Sequence, residues 1–248
     1  EIPNQWTDPL EYIWNGMYPP IYDRKLKPND WLSAYIQTYL ERDVRTIINI
    51  KDLSDFQKFI RICAGRVGQL INFSDIANDC GVSHNTIKSW LSILEASYII
   101  FFLKPFYKNF NKRITKQSKL YFVDTGLAAA LLEIETPRQL ETHYAKGALF
   151  ENFIISNTLK NRLNKGQRPN LYFWRDHKGK EIDLILEEAG EITAVEIKSS
   201  KTIKEHHLEN LNYLDKISED KIKNLMVVYS GDKSFQWKEV KVKSWKET

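Results

Sequence analysis

Cysteine is scarce in this chain, and other features that mark particular protein classes are missing from it. The 248 residues include two cysteines, Cys63 and Cys80, which are too few for a disulfide framework and lack metal-ligand spacing with histidine. No run of 18 apolar residues occurs and no secretory signal opens the chain, so we expect neither a membrane span nor export. These absences are typical of a protein of the reducing cytoplasm.

The sequence also lacks the phosphate-binding loop of common nucleotide hydrolases. The pattern G-x-x-x-x-G-K-[ST] is absent, which predicts that this chain does not hydrolyse ATP. The formal net charge of +4 is too small to indicate a nucleic-acid partner by itself. With 42% hydrophobic and 12% aromatic residues, the composition is that of a globular chain with one or two packed cores.

Two apolar runs in the C-terminal half flank a tight turn and yet carry charge. The stretch EIDLILEEAGEITAVEIKSS at 181–200 predicts a β-hairpin with the Ala-Gly pair at 189–190 as its loop. A two-residue loop places Asp183 opposite Glu196, with Lys198 on the same face of the sheet. A four-residue loop keeps this pairing, whereas a three-residue loop breaks it.

Two neighbouring carboxylates in a mostly apolar strand pair suggest a cation site. Asp183 and Glu196 repel each other unless a cation joins them, and magnesium is commonly held by one or two carboxylates with water. Lys198 could then orient a water molecule or stabilise charge that develops on a phosphate. The alternative is a cross-strand ion pair between Glu181 and Lys198, with Asp183 merely near a turn.

The spacing of these charges resembles a known signature. Asp183, twelve further residues and Glu-Ile-Lys at 196–198 resemble the motif of the PD-(D/E)XK nuclease-like superfamily. The resemblance implies an α-β-β-β-α-β core with a glutamate on its first helix, which is Glu151 in the helical pattern at 146–163. It further implies that Glu151, Asp183 and Glu196 hold magnesium or manganese while Lys198 activates water.

The remaining elements of such a core are present as sequence patterns in the expected order. After the helix we predict a short aromatic strand, the hairpin, a second helix, a buried strand and an alternating edge strand. Apart from the hairpin, these lie at 170–176, 203–217, 224–230 and 239–245.

Longer phrases, among them WLSAYIQTYLERDV and YFWRDHKGKEIDLILE, resemble the C-terminal region of a family of prokaryotic AAA-type ATP-binding proteins. The resemblance implies an α/β (α+β) fold with a helical tail of an ATPase module at 1–50, a winged helix-turn-helix at 51–123 and the nuclease-like domain at 124–248. We therefore expect a fragment whose ATPase domain was removed. ATP would bind only to that missing domain, which is an expected partner, and oligomers are compatible with the family.

The middle segment has residues that typically begin and end the helices of a helix-turn-helix. Ser74 is the expected N-cap of a first helix, Gly81 its stop and Ser83 the N-cap of a second helix at 84–95. The polar positions left on the second helix are those expected to contact DNA, and they are His84, Asn85, Lys88, Ser89 and Ser92.

A basic stretch follows this second helix. Apolar runs at 98–103 and 119–123 are expected as the strands of a wing, and no acidic residue occurs between Glu95 and Asp124. The basic residues of this interval are Lys104, Lys108, Lys112, Arg113, Lys116 and Lys119. They are expected to neutralise phosphates, Lys112 and Arg113 in particular, so DNA is the predicted partner. The alternative is a winged helix that only joins domains.

Several further motifs have plainer explanations. The pair His206-His207 is expected at the surface, and Asp124 is expected to cap a helix at 127–132. Arg175 could contact phosphate, but an ion pair with Asp176 or Glu181 explains it as well. At the level of function, the alternative to a nuclease is a non-catalytic module that binds DNA or protein and regulates the ATPase.

Overall fold

The computed structural model describes residues 8–44, 53–106, 116–219 and 221–247. These residues divide into two compact units. The first contains the described residues up to 102 together with 119–152, and the second contains those at 103–118 and from 153 onwards. The predicted domain boundaries at residues 50 and 123 stay a prediction.

The first unit is mainly helical. Three short helices are followed by a π-helical segment, Ile36–Val44, and the unit continues with a longer helix and a helix-turn-helix. The α-helices are α1 (Pro9–Asn15), α2 (Pro19–Asp23), α3 (Pro28–Tyr35), α4 (Leu53–Gly65), α5 (Phe73–Cys80), α6 (His84–Ala96), α7 (Thr125–Leu131), α8 (Pro137–Thr142) and the first part of α9 (Lys146–Asn164).

The helix-turn-helix is confirmed, but one of its caps was predicted wrongly. Asn72, not Ser74, is the N-cap of α5, because its side-chain oxygen accepts the N–H groups of Ser74 and Asp75. Gly81 ends α5 in the left-handed region at φ 74°, as predicted. Ser83 caps α6 by accepting the N–H of Thr86.

Apolar residues at helical spacing pack α6 into the core of the first unit. Ile87, Leu91 and Leu94 are buried as predicted. Trp90 is buried as well, with its ring edge-on to Phe59 of α4 at a centroid distance of 5.1 Å.

The two expected wing strands are present as β1 (Ile100–Pro105) and β2 (Lys119–Phe122), which are neighbours in a sheet. All four residues of β2 are buried. Lys119 was expected among the exposed basic residues of a wing, and this is wrong, because only 2% of it is exposed.

Proline and aspartate residues determine where two helices of the first unit begin. Helix α2 begins with proline at its first position. Leu40 in the π-helical segment is fully buried. Asp124 caps α7 by accepting the N–H of Leu127, which confirms its predicted role.

The second unit has the predicted α-β-β-β-α-β order of elements. The second part of α9 is followed by three strands, a 3-10 turn at Glu205–Leu208, helix α10 and then β6. The bounds are β3 (Leu171–Arg175), β4 (Glu181–Glu188), β5 (Glu191–Lys198), α10 (Glu209–Ser218), β6 (Asn224–Tyr229), β7 (Phe235–Trp237) and β8 (Val240–Ser244).

Strands β4 and β5 lie in the interior of the sheet of this unit. The end of β1 pairs in parallel with β3, and the order continues through β4, β5, β6, β8 and β7. The alternating strand at 239–245 was predicted at the edge, which is wrong, because β8 lies between β6 and the unpredicted β7.

The central strands are buried on both faces, because Leu184 and Val195 on one face and Ile185 and Ala194 on the other are almost inaccessible to solvent. Leu208, Leu211 and Leu214 from the α10 side belong to one buried cluster with Ile185 and Ala194 of the hairpin. The mixed α/β class is therefore confirmed, with helices and a mixed eight-stranded sheet.

Two expectations about absent features can be compared with the structure. Within the described parts of the chain, no helix has the length and apolar character needed to cross a bilayer. Cys63 and Cys80 are both free and buried, and burial raises the pKa of the Cys63 thiol.

Candidate functional site

The β4–β5 hairpin brings the predicted charged residues to one end of the sheet. Its two-residue turn is confirmed, since Ala189 and Gly190 both have positive φ and Glu188 pairs with Glu191. The register continues as expected up to the pair Leu184–Val195.

Beyond that pair the ladder stops, and Asp183 replaces a backbone acceptor. Its Oδ2 accepts the N–H of Ile197 at 2.7 Å. This bond fixes the carboxylate of Asp183 beside the end of β5, one residue from Glu196 and one from Lys198 along that strand. The geometry of the backbone thus positions the three charged side chains together.

Lys198 joins the two carboxylates. Its Nζ donates to Glu196 Oε2 at 2.5 Å and lies 3.6 Å from Asp183 Oδ2. The Lys198 side chain is 28% exposed, whereas Glu196 is almost fully buried. One ammonium group therefore lies next to two carboxylates, and it is the more solvent-exposed partner of the buried Glu196.

Glu196 is the least satisfied group of the site. Its Oε1 is buried and has no hydrogen-bond partner among the described residues. Burial, followed by the nearby charge of Asp183, raises the pKa of Glu196 to about 8, although Lys198 opposes the shift. A buried polar oxygen without a partner costs about 1–3 kcal/mol, and such an exception calls for an explanation.

Glu151 lies in the first unit and has other partners. Its Oε1 accepts hydrogen bonds from Lys119 Nζ at 3.0 Å and from the Tyr121 hydroxyl at 2.5 Å. The buried ammonium of Lys119 needs this carboxylate, because an uncompensated charge in a protein interior is strongly destabilising. The predicted role of Glu151 as a metal ligand stays a prediction.

The donor set at the hairpin is compatible with a magnesium or manganese ion held by two carboxylates. Within the described residues, no group of three or more His, Cys, Asp and Glu side chains is arranged to hold a metal. Magnesium nevertheless keeps several waters and binds through one or two carboxylates. Asp183 and Glu196 offer that number, and Glu196 Oε1 has an unused acceptor position.

Arg175 and the pair His206-His207 are two further sequence motifs near the hairpin. Arg175 forms an ion pair with Glu181 at 3.0 Å, and Glu181 was one of its two expected partners. His207 has a lowered pKa because of burial, then His206, then Lys198, so it lies within electrostatic range of the site. The sequence pattern assigned the two histidines to the surface, and no signal in it related them to Lys198.

A cavity of the second unit lies away from these charged residues. A cavity of about 260 Å³ is lined by Ile154 of α9, by Leu184 and Val195 of the hairpin and by basic side chains that include Lys165. The side chains of Leu184 and Val195 point to the sheet face opposite Asp183 and Glu196. The cavity is therefore not part of the candidate site.

Helix α6 presents the polar residues that were predicted to contact DNA. His84, Asn85, Lys88, Ser89 and Ser92 are all exposed. The His84 ring lies against Phe73 at a centroid distance of 5.4 Å. The predicted phosphate contacts Lys112 and Arg113 lie outside the described residues.

Comparison with known proteins finds two families along the chain. The profile of a domain of unknown function, DUF8612, matches residues 7–138, and that of another domain of unknown function, DUF4143, matches residues 146–247. The first matched segment contains the whole of α6, and the second contains the whole β4–β5 hairpin.

Three relatives share most of this chain at low identity. The uncharacterized proteins Mb2031c of Mycobacterium bovis and Rv2008c of Mycobacterium tuberculosis are each 29% identical over 194 residues, which cover 77% of this chain and 43% of the relative. An uncharacterized protein of Haemophilus influenzae is 25% identical over 211 residues, covering 82% of this chain and 49% of the relative. The chain thus spans less than half the length of these relatives.

Proposed function

The chain belongs to the family defined by the domain of unknown function DUF8612, and we propose that it binds nucleic acid and carries a metal-dependent, nuclease-like site in its second unit. The site comprises Asp183, Glu196 and Lys198. The observation that carries the proposal is the buried Oε1 of Glu196. Within the described parts of the chain it has no hydrogen-bond partner, although Glu196 lies beside a second carboxylate and an ammonium group.

A divalent ion would explain that unpaired oxygen. Asp183 and Glu196 would hold it, and the fixed hydrogen bond from Ile197 N–H keeps the Asp183 carboxylate in place. When bound, the ion would supply charge stabilisation for a phosphodiester and lower the pKa of a bound water. Glu196 would be deprotonated on binding, because a metal ligand must be in its charged form.

Lys198 would then act on the reacting groups without serving as a ligand. Its ammonium reaches both carboxylates in the present arrangement, and its partial exposure gives it access to a substrate. There it would orient the attacking water and stabilise the negative charge that develops on the phosphate. The substrate class is therefore a nucleic-acid phosphodiester.

The first unit would supply duplex contacts. Helix α6 is the second helix of the helix-turn-helix and would be the recognition helix, and the sequence between β1 and β2 is rich in lysine. We further propose that the chain is the C-terminal part of a longer AAA-type, ATP-binding protein of the cytoplasm, in which its ATPase domain is a partner. The greater length of the relatives agrees with this.

A second candidate function is a non-catalytic module that binds DNA or protein and regulates the ATPase. The observation that favours it is the engagement of Glu151. Its carboxylate already accepts two hydrogen bonds from Lys119 and Tyr121, which makes it a structural group of the first unit.

Titration calorimetry with magnesium and manganese tests the metal site. The chain is expected to bind one of these ions, and the ion should stabilise it by about 2.7 kcal/mol at a hundredfold excess over its dissociation constant. Asp183→Asn should abolish both effects. Glu191→Gln is the matched control, because it removes an exposed carboxylate from the far end of the same hairpin and should leave binding unchanged.

Two outcomes distinguish the candidate functions. A nuclease requires that Lys198→Ala lose DNA cleavage by the full-length protein while metal binding is at least partly retained, because lysine is not a ligand. Absence of any magnesium or manganese binding by the unmutated chain would contradict the metal site and leave the non-catalytic module. A Glu151→Gln variant with weakened metal binding would identify Glu151 as the third ligand.

A further inference from the structure

One end of the sheet in the second unit collects more than the two carboxylates. Strand β3 is antiparallel to β4, β4 is antiparallel to β5, and β5 is parallel to β6. The same end of the sheet, which we call this edge, therefore contains the ends of β3, β5 and β6 and the start of β4. This is the edge at which Asp183, Glu196 and Lys198 lie.

The turn between β3 and β4, residues 176–180, is built around a buried aspartate. Asp176 is only 3% exposed, and its Oδ1 accepts the N–H groups of Lys178 at 2.8 Å and Lys180 at 3.0 Å. The Asp176 N–H donates to Lys180 O at 2.9 Å, and Gly179 takes a positive φ of 84°. The backbone of the turn is thus held in one conformation.

Helix α10 anchors the same turn from outside. The Tyr213 hydroxyl donates to Asp176 Oδ2 at 3.2 Å, and Lys180 Nζ lies 5.4 Å from the centre of the Tyr213 ring. His177 and Lys178 remain exposed, and neither has a side-chain partner among the described residues. The structure therefore holds a short basic loop in place without neutralising it.

Acidic residues close to this edge are already paired. Glu181 is bound to Arg175, and Asp232 after β6 is bound to Lys246 at 2.7 Å. Lys201 and Lys204, which follow β5, are exposed. The exposed lysines therefore place positive charge around the candidate site, although the net charge of the whole chain is small.

We propose that the turn 176–180 binds the phosphodiester backbone of a nucleic-acid strand, with Lys178 and Lys180 as the contacting cations. The proposal rests on the proposed function and identifies the surface that would hold the substrate at the carboxylates. Lysine side chains on a rigid loop are typical phosphate contacts that fix position rather than sequence. The turn carries no apolar side chain that could enter a lipid bilayer.

A DNA-binding experiment with the 248-residue chain tests this surface. The binding of a labelled duplex is measured by fluorescence anisotropy in EDTA at several salt concentrations. Each phosphate contact contributes about 0.9 to the slope of log affinity against log salt. The double variant Lys178→Gln/Lys180→Gln should bind more weakly and lower that slope by about 2. Tyr213→Phe should also weaken binding although it removes no charge, because Asp176 loses its anchor.

A matched control removes the same charge from the opposite edge of the sheet. Lys221 and Lys223 precede β6 and are both exposed, so Lys221→Gln/Lys223→Gln should leave the affinity and the slope unchanged. Equal effects of the two double variants, or an unchanged slope in Lys178→Gln/Lys180→Gln, would overturn the proposal.

The experiment separates this proposal from the metal site. Because EDTA removes divalent ions, Asp183→Asn should bind the duplex at least as well as the unmutated chain, whether or not the carboxylates hold a metal. Conversely, Lys178→Gln/Lys180→Gln should keep the magnesium or manganese affinity measured by calorimetry. Loss of metal binding in that variant would assign the lysines to the architecture of the site instead of to phosphate recognition.

Discussion

At the scale of the residue, the second unit buries the acidic side chain of Glu196, where the charged form of a carboxyl group is unfavourable. Glu196 is 1% exposed, one of its oxygens has no partner, and Asp183 adds a second negative charge. Burial favours the protonated form of a carboxyl group. The structure therefore stabilises a proton on Glu196 until a stronger cation replaces it.

The raised pKa predicts a pH-dependent stability that depends on Glu196. Between its ordinary value of 4.5 and about 8, the folded state binds a proton that the unfolded state has released. The contribution of Glu196 to stability is therefore fully present below pH 4.5 and falls as the pH rises to 8, with a slope of at most about 1.4 kcal/mol per pH unit. Urea unfolding at a series of pH values, without divalent ions, measures it.

The control for this experiment is Glu196→Gln, which keeps the shape of the side chain and cannot titrate. The difference in unfolding free energy between this variant and the unmutated chain should grow in favour of the variant from pH 5 to 8 and then level off. Parallel pH profiles for the two proteins would contradict the raised pKa.

At the scale of the element, helix caps determine where the helix-turn-helix begins. Both Asn72 and Ser74 belong to residue types that cap helices, and they are only two positions apart in the sequence. In the structure the side chain of Asn72 accepts the first free N–H groups of α5, including that of Ser74. The choice between the two positions depends on the backbone conformation before the helix, which the sequence pattern does not report.

A pair of substitutions measures this difference. Asn72→Ala should destabilise the chain by about 1 kcal/mol, since it leaves the first N–H groups of α5 without an acceptor. Ser74→Ala lies inside the first turn and should change stability by less than about 0.5 kcal/mol. Thermal or urea unfolding of both variants decides between the caps, and a larger effect at Ser74 would support the original prediction.

Strand pairing was predictable where local chemistry determines it. The Ala-Gly turn sets the register of the hairpin, and this register is observed from Glu188–Glu191 to Leu184–Val195. The end of the ladder at Asp183 was not predictable, because it depends on a side chain that takes over a backbone hydrogen bond.

Long-range partners were also beyond the sequence pattern. Lys119 appeared to be one more basic residue of a wing, but it is buried against Glu151, which is 32 residues away. The three-residue strand β7 is too short to produce a periodic signal. Both features depend on the tertiary structure, whereas helices α6 and α9 could be located from apolar spacing alone.

At the scale of the whole molecule, charge is distributed unevenly. The chain has 36 basic and 32 acidic residues, yet Glu181 and Asp232, which lie at the same end of the sheet as the basic turn, are paired with Arg175 and Lys246. Affinity for a polyanion depends on the local excess and not on the net charge. A chain of nearly balanced composition can therefore still bind DNA in a salt-dependent manner.

This distribution predicts that Lys88 on α6 contributes to DNA binding by the 248-residue chain. Lys88→Gln should lower the slope of log affinity against log salt by about 1, because one phosphate contact is lost. Lys58→Gln on α4 provides a control with the same change of charge in the same unit. Equal slopes for Lys88→Gln and the unmutated chain would leave the helix-turn-helix as a connector between domains.

The path of the chain also has a practical consequence for anyone who wishes to produce a shorter form of it. The second unit includes the end of β1, where Lys104 and Pro105 pair with Tyr172 and Phe173 of β3. A truncated product that begins at the DUF4143 boundary, residue 146, would omit this strand and leave the hydrogen-bonding edge of β3 open. Open edges of that kind promote aggregation, so we expect such a product to be recovered largely as inclusion bodies.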